Sequence, residues 1–329
     1  FYGLTSAYGQ STTENKNYSR SHETLISVSS PGLHHFQAVS RDAAGNTGYS
    51  PDLTTTVVGP TWSRTYDNSN YESGDQIIPT ADGGAVIAGS VGALSAQDIM
   101  LRKIDGNGNI VWENTCGGSN NDTVSGLKAT ADGFILCGGT DSLDFPGAIR
   151  SYNGNTDFLV VKTDALGNVT WSGTYGGTGY ESAADICLTS DGGYAVIGMT
   201  QSPNSYDISG FHAVNDMWVI KIDSLGVLDW QNVVGGDNAD YGSGIVEESD
   251  GRLLISGFAY SQSGDITATN HGQQDGWVGL LKSDGSAIDW QQTFGGSGYD
   301  TLESMQKTAD GGTILSGLTG SSDGNLGAY

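Results

Sequence analysis

The sequence predicts an all-β chain: a β-propeller of four-stranded antiparallel blades preceded by a partial β-sandwich. Two features of composition and one of repetition carry this reading. Glycine is abundant (51 residues) and proline scarce (6), while Ser, Thr, Asn and Asp punctuate short apolar runs, as many strands and tight turns require. Periodic blocks of Ala, Leu, Glu and Lys long enough for helices are missing. Above all, one stretch of text recurs five times.

Trp62, Trp112, Trp171, Trp230 and Trp290 align at spacings of 50, 59, 59 and 60 residues. They open the segments WSRTYDNSNYE, WENTCGGSNND, WSGTYGGTGYE, WQNVVGGDNAD and WQQTFGGSGYD. After each acid at the segment's end comes a strand, then a hairpin turn of the Asp-Gly type: TADGG, TADG, TSDGG, ESDG or TADGG. A second strand follows (AVIAGS, FILCGGT, YAVIGMT, LLISGFA, TILSGLT), then a variable loop and a third strand such as DFLVVKTD or DMWVIKID. A DxxG-type turn leads to the next Trp strand. Phe158–Val161 and Met217–Ile220 are apolar on both faces, so both faces must be covered. Blades stacked face to face around an axis meet that demand. A β-solenoid is the rival, but Asp-Gly hairpins join antiparallel neighbours.

Residues 62–329 are thus assigned to the propeller, 59–61 to a linker marked by Gly59-Pro60, and 1–58 to the partial sandwich. Trp62–Tyr66 arrives without three partner strands, and the fifth repeat reaches Tyr329 after two. A ring closed within this chain would use Trp62–Tyr66 as a clasp. The expectation is instead a segment of a longer protein whose ring has six or seven blades, within a range of about four to eight.

The segment CGGSNNDTVSGLKATADGFILCGGTDSLDFP resembles a bacterial and archaeal β-propeller repeat family of the seven-bladed type, with its GG-S-x-x-D start, DG hairpin and DFP ending. The resemblance covers about residues 62–329 and implies large secreted or cell-surface proteins, usually with no enzymatic role for the propeller. Only the second repeat keeps Asp144-Phe145-Pro146. Residues 1–58 resemble the C-terminal half of a fibronectin type III or bacterial Ig-like domain through PGLHHFQAVSRDAAGNTGYSPDLTTTV, although His35 stands where a Tyr is usual.

The acids Glu72, Asp122, Glu181, Asp240 and Asp300 share one repeat position. Each is expected to accept N–H bonds from its Gly-rich turn or to pair with a neighbouring strand; a ring of carboxylates binding cations is the functional alternative. Lys103, Lys162, Lys221 and Lys282 are read as equivalent third-strand positions forming ladders with repeated acids between blades. Asp82, Asp132, Asp191, Asp250 and Asp310 serve their hairpin turns. Function is expected in the variable loops 141–156, 201–215 and 260–274. There Phe145, Tyr152, Tyr206, Phe211, His212, Tyr260 and His271 are candidate contacts, the alternative being rings that pin their own loops.

No HExxH, GxSxG, P-loop or CxxC motif occurs, so no catalytic residue and no metal ligand set is assigned and the chain is expected not to be an enzyme. Asp105-Gly-Asn-Gly-Asn lacks a bidentate Glu, while Ser263-Gly264-Asp265 and Ser321-Ser322-Asp323-Gly324 are the segments on which Ca²⁺ is conceivable. Cys116, Cys137 and Cys187 form no disulfide framework and fit buried strand positions.

A formal charge of −24, from 37 acids against 13 bases, disfavours nucleic acid and anionic lipid, and no apolar run of membrane-spanning length exists. The expectation is an extracellular or cell-surface structural or adhesion protein whose propeller binds a protein or glycan, including copies of itself. The alternatives are a subunit of an extracellular filament or surface layer, and a polysaccharide-acting propeller hydrolase or lyase.

Overall fold

A computed structural model describes residues 2–3, 32–36, 39–41, 47–49, 53–57, 64–66, 71–93, 96–150 and 154–324. The described residues contain strands and no helix, and the chain divides into two compact units, 1–65 and 66–329. In the first unit β1 (Tyr2–Gly3), β2 (Gly32–Phe36) and β5 (Leu53–Val57) form a three-stranded antiparallel sheet. Separately, β3 (Val39–Arg41) pairs with β4 (Thr47–Tyr49). The Asp42–Asn46 turn expected between them lies outside the described residues.

The second unit is a series of five antiparallel sheets. In the first, β6 (Tyr71–Glu72) and β7 (Gln76–Pro79) both pair with β8 (Ala85–Ala93), followed by β9 (Ala96–Ile104) and β10 (Ile110–Cys116). The second comprises β11 (Asp122–Thr130), β12 (Gly133–Thr140), β13 (Asp157–Asp164) and β14 (Val169–Tyr175). The third comprises β15 (Glu181–Leu188), β16 (Tyr194–Thr200), β17 (Asp216–Ile222) and β18 (Leu228–Val234). The fourth comprises β19 (Asp240–Glu247), β20 (Leu253–Ala259), β21 (Asp275–Leu281) and β22 (Ile288–Phe294). A two-stranded fifth pairs β23 (Asp300–Lys307) with β24 (Thr313–Thr319). This is an all-β, propeller-like repeat of four-stranded blades.

Strand alternation explains why the blades stack. Phe158 and Val160 of β13 point into a core shared with Val196, Trp218 and Ile220 of the third blade. Leu159 and Val161, one residue out of phase, enter the core shared with Val86, Ile99 and Leu101 of the first. Likewise Met217 and Val219 face Ile245, Ile255 and Trp277 of the fourth. Each central strand therefore supplies two cores, which is the reason it reads as a continuous apolar run.

Consecutive blades touch through their first strands, and a bulge recurs there, between Val124 and Gly126, Ala183 and Asp185, Gly242 and Gly244, and Leu302 and Ser304. The bulged Ser125 and Ser243 hydroxyls donate to Ala183 O (2.5 Å) and Leu302 O (2.6 Å) of the next blade. At the other margin the Trp of each fourth strand covers the next blade's DxxG glycine. Gly167, Gly226 and Gly285 adopt φ of +79°, +80° and +71°, and a Cβ there would collide with Trp112, Trp171 and Trp230. Tyr175, four residues after Trp171, donates its hydroxyl to Gly226 O at 2.6 Å.

Trp62 lies outside the described residues, and Arg64–Tyr66 is not a strand, contrary to expectation. Tyr66 nonetheless donates to Gly108 O at 2.7 Å beneath Arg102, as Tyr175 does to Gly226 beneath Arg150.

The lysine expectation requires correction. Lys103, Lys162 and Lys221 pair with the hairpin aspartates Asp82 (2.8 Å), Asp132 (2.7 Å) and Asp191 (2.8 Å) of their own blades, not with acids between blades. Lys282 is not equivalent to them. Leu280 faces Trp290 as Lys162 faces Trp171, so Lys282 stands two residues later and opens the turn. In that blade Arg252 holds the hairpin Asp250 instead, at 2.7 Å.

Candidate functional site at the crossover face

In every blade the first strand starts, the second ends, the third starts and the fourth ends at one edge. The recurring acids, the Gly-Gly crossovers and the variable loops are therefore gathered there. Asp122, Glu181, Asp240 and Asp300 are buried, and Glu72 faces Arg102 at 3.5 Å. Each of the four buried acids accepts the N–H of its crossover's second glycine: Gly118 (2.7 Å), Gly177 (2.7 Å), Gly236 (3.1 Å) and Gly296 (2.9 Å). Thr140, Thr200 and Thr319, paired across the sheet, donate hydroxyls to Asp122, Glu181 and Asp300 at 2.5, 2.8 and 2.5 Å. In the fourth blade Ala259 takes the threonine's place, and Asp240 keeps the Ser261 N–H (3.2 Å).

A second series of acids opens the third strands: Asp98, Asp157, Asp216 and Asp275. Sequence reading overlooked it, although an Asp at the head of each such strand was the available signal. Each stands against the first crossover glycine of the next junction. A Cβ on Gly117, Gly176, Gly235 or Gly295 would lie inside 3.0 Å of Asp98, Asp157, Asp216 or Asp275. At Gly295 the same point is 2.8 Å from Asp300 Oδ2, and at Gly176 it is 2.7 Å from Glu181 Oε2. At these two junctions a carboxylate of one blade thus faces a carboxylate of the next across a single glycine.

Burial is the main influence on these carboxyls, and the acid of the neighbouring series adds to it for Asp122 and Asp240. Burial raises Asp122, with the Asp98 charge adding to it, and burial raises Asp98 too. Burial also raises Asp216, against the pull of His212. Asp240, lacking a threonine donor, is pushed up to about 6, by burial first and by the Asp216 charge as well. For Asp300 burial is outweighed by the Ser321 and Thr319 hydroxyls, which hold it low. Oδ1 of Asp216 and Oδ1 of Asp275 are buried with no hydrogen-bond partner.

Each loop is fixed by an Asp and an apolar plug at its foot. Asp144 Oδ1 accepts Ser119 N–H (2.8 Å), Asp207 Oδ2 accepts Gly176 N–H (3.2 Å) and Asp323 Oδ1 accepts Ser297 N–H (2.8 Å). Phe145, only 4% exposed, enters the core between the first two blades, and Ile208 and Ile266 do the same at the next junctions. Phe145 is therefore not an exposed contact. The Asp144-Phe145 signal recurs as Asp207-Ile208 and Asp265-Ile266, disguised by the change of apolar residue.

Tyr152 lies outside the described residues. Tyr206 is 71% exposed, whereas Phe211 packs partly against the core between the second and third blades. His212 gives its N–H to Asp216 Oδ2 (2.6 Å) and sets Nδ1 against the same oxygen (3.3 Å), with Nε2 3.6 Å from Asp265. His271 repeats this on Asp275, at 2.8 and 2.9 Å. Tyr260 is half-buried, and burial together with Tyr299 and Tyr241 raises its hydroxyl. A buried carboxylate behind a surface imidazole fixes the ring's orientation and suits it to hold a polar ligand.

Asp105 spends its oxygens on its own turn, accepting from Asn107 N–H and Asn109 N–H at 2.8 Å. Among the described residues no set of three or more His, Cys, Asp or Glu side chains is arranged to hold a metal ion. No helix among them is long and apolar enough to cross a membrane.

The fold and this face define a propeller-like repeat protein with a loop-bearing edge. No family model and no curated protein matches the chain. Among solved structures it is similar to an ACO/RPE65 chimera at 11% identity and a TM-score of 0.41, over 71% of this chain and 52% of that one. The chain thus spans about half the length of that solved chain. The expectation that the chain is not an enzyme is withdrawn beside this finding, since a propeller-like fold with a loop-bearing face does not exclude catalysis. A likeness of this degree transfers no activity.

Proposed function

We propose that the chain is a binding scaffold of an extracellular or surface-displayed protein, whose blades hold the loops 201–215 and 260–274 out to a protein or glycan partner. One observation carries the reading. Tyr206 and Val214 are the only non-glycine residues with positive φ among the described residues, at +49° and +52°; both lie on the loop 201–215, and both are exposed. A left-handed backbone is unfavourable for a bulky aromatic and more so for a β-branched residue. Strain spent on presenting apolar side chains to solvent is typical of contact sites. His212, between them, adds an oriented polar group, and Tyr299 (55% exposed), bridged to Gln274 at the foot of the loop 260–274, exposes a ring beside the second loop.

The test is a glycan array and a capture screen against surface proteins, using the whole chain and the Tyr206→Ala and Val214→Gly variants, with a reducing-sugar assay alongside. A genuine hot spot loses at least tenfold in affinity on truncation. Equal binding by wild type and variants, or no binding to either class, refutes the reading. Self-association dependent on these residues points instead to a filament or layer subunit.

A further inference from the structure

We infer that the junction between the third and fourth blades carries a binding site for a single phenol ring. It lies on the hairpin edge, opposite the variable loops, where Leu253 replaces a ring that the chain itself supplies at the two preceding junctions.

The fourth-strand tryptophans set the pattern. Trp112 meets Phe134 of the next blade with ring centroids 6.1 Å apart and planes tilted by 52°, and Trp171 meets Tyr194 at 6.3 Å and 55°. Counted back from Thr140, Thr200 and Ala259 at the ends of β12, β16 and β20, Leu253 holds the position of Phe134 and Tyr194. All three side chains are buried, so they differ in shape rather than in exposure. Trp230 still covers Gly285, as Trp171 covers Gly226. Between Trp230, Leu253 and the hairpin of the third blade lies a cavity of about 150 Å³, which Lys221, Asp191, Ser190 and Glu247 also line. A space of about 150 Å³ takes one six-membered aromatic ring.

The rim changes together with the ring. Ser190 and Glu247 stand where the preceding junction has Ala131 and Leu188. Ser190 donates its N–H to Glu247 Oε2 at 2.7 Å and its hydroxyl to Oε1 at 3.1 Å, from one blade to the next. An apolar rim over a ring of the chain has become a polar rim over a cavity. An apolar interior with a few placed polar groups is the usual make-up of a small-molecule site.

Tyr194 shows how a ligand lies there. Burial raises its hydroxyl, and so does the charge of Asp132, the hairpin acid of the preceding blade. Asp191 is the counterpart of Asp132, and it is held ionised by Lys221 at 2.8 Å and the Thr189 hydroxyl at 2.6 Å. A phenol packed on Trp230 as Tyr194 packs on Trp171 therefore directs its hydroxyl to the Asp191 carboxylate, a charged acceptor. Asp191, Asp229 and Glu247 outnumber Lys221 around the site, so an anionic ring is disfavoured.

The experiment is an NMR titration of the whole chain with p-cresol, read at the Trp230 indole N–H, which Trp230→Phe assigns. 4-Methylcyclohexanol, 4-methylbenzoate and methyl glucoside are titrated in parallel. p-Cresol is expected to bind saturably with a Kd of about 1 mM, as befits so small a ligand. The alicyclic alcohol and the benzoate should bind about fivefold more weakly or less. Leu253→Tyr and Leu253→Phe, which restore a ring of the chain, are expected to abolish the p-cresol shift and to raise the thermal midpoint. A Gly-Tyr-Gly peptide separates two sources of the ring: binding by p-cresol alone assigns the site to free phenols, and binding by both extends it to a tyrosine side chain of a partner. No saturable shift of Trp230 up to about 20 mM p-cresol overturns the proposal. So does undiminished p-cresol binding by a folded ring-filling variant, or tighter binding of the glucoside than of p-cresol.

Discussion

Replacing Gly176 by alanine tests whether the crossover glycines exist to bring two blades' acids together. Gly176 has no left-handed backbone to explain it. A Cβ there would stand 2.7 Å from Glu181 Oε2 and closer still to Asp157 Oδ1, and both acids are fully buried. Neither can withdraw without disturbing the core, so overpacking costs about 1–3 kcal/mol. Moving Glu181 also weakens its bond from the Gly177 N–H, an interaction with a charged acceptor worth about 1.5–3 kcal/mol. Reduced freedom of the unfolded chain returns about 0.4–1 kcal/mol. The net expectation is about 3 kcal/mol, read in a thermal scan as a fall of roughly 6–12 °C at about 2–4 °C per kcal/mol. Two controls isolate the cause. Gly192→Ala introduces only backbone strain, at φ +89° with nothing within 4 Å, and should cost about 1 kcal/mol. Gly74→Ala meets Ile87 at an ordinary 3.5 Å and should change stability by no more than about 0.5 kcal/mol. If Gly176→Ala is no more damaging than Gly192→Ala, the packing argument for the crossover is wrong.

Other outcomes follow from the same contacts. Tyr175→Phe removes one buried hydroxyl bond to Gly226 and should lower the urea-unfolding free energy by about 0.5–1.5 kcal/mol. Trp171→Ala opens the contact with Tyr194 and Gly226 and should cost about 3–5 kcal/mol by the same measurement. Lys221 and Thr189 hold Asp191 down to about 2, so this pair stabilises above the unfolded carboxyl's value near 4 and loses its effect as pH falls through about 2. Because Asp191 is well exposed, Lys221→Met should cost no more than about 1 kcal/mol and flatten only the acid limb of the stability profile. Cys116 and Cys187 are pushed up to about 12 by burial and Cys137 is raised further, so no thiol should react with Ellman's reagent until the chain is unfolded, when three should appear.

The blade architecture was legible because its physical causes are local and repeat. Asp-Gly turns set the hairpins, and the doubly apolar β13 and β17 could only lie between two layers. The crossover was half legible. The acids after each Gly-Gly pair stood out by recurrence, whereas their partners Asp157, Asp216 and Asp275 looked like ordinary strand ends, since sequence does not reveal which carboxylates meet across a junction. Phe145 misled for a related reason. Aromatic character on a loop reads as a contact, and only its equivalence with Ile208 and Ile266 shows a core plug. Lys282 was misplaced because the turn before Trp290 is one residue longer, so that Leu280 takes the register of Lys162 and Lys221 and Lys282 falls two positions past it. The strain at Tyr206 and Val214 had no signal, because turn chemistry would favour glycine or asparagine at such angles.

The plugs at the loop feet have a consequence for how such a chain can change. Ile208 and Ile266 lock the outgoing base of each loop to the body of the protein, while Phe211 and His212, and Asn270 and His271, tie down the returning limb, so only the short stretch between these anchors is insulated from the demands of folding. New text can be spliced between Ile208 and Phe211, or between Ile266 and Asn270, without redesigning the blades. One rigid chassis can thus carry several differently worded cartridges side by side, and recognition can diversify while the core stays as it is.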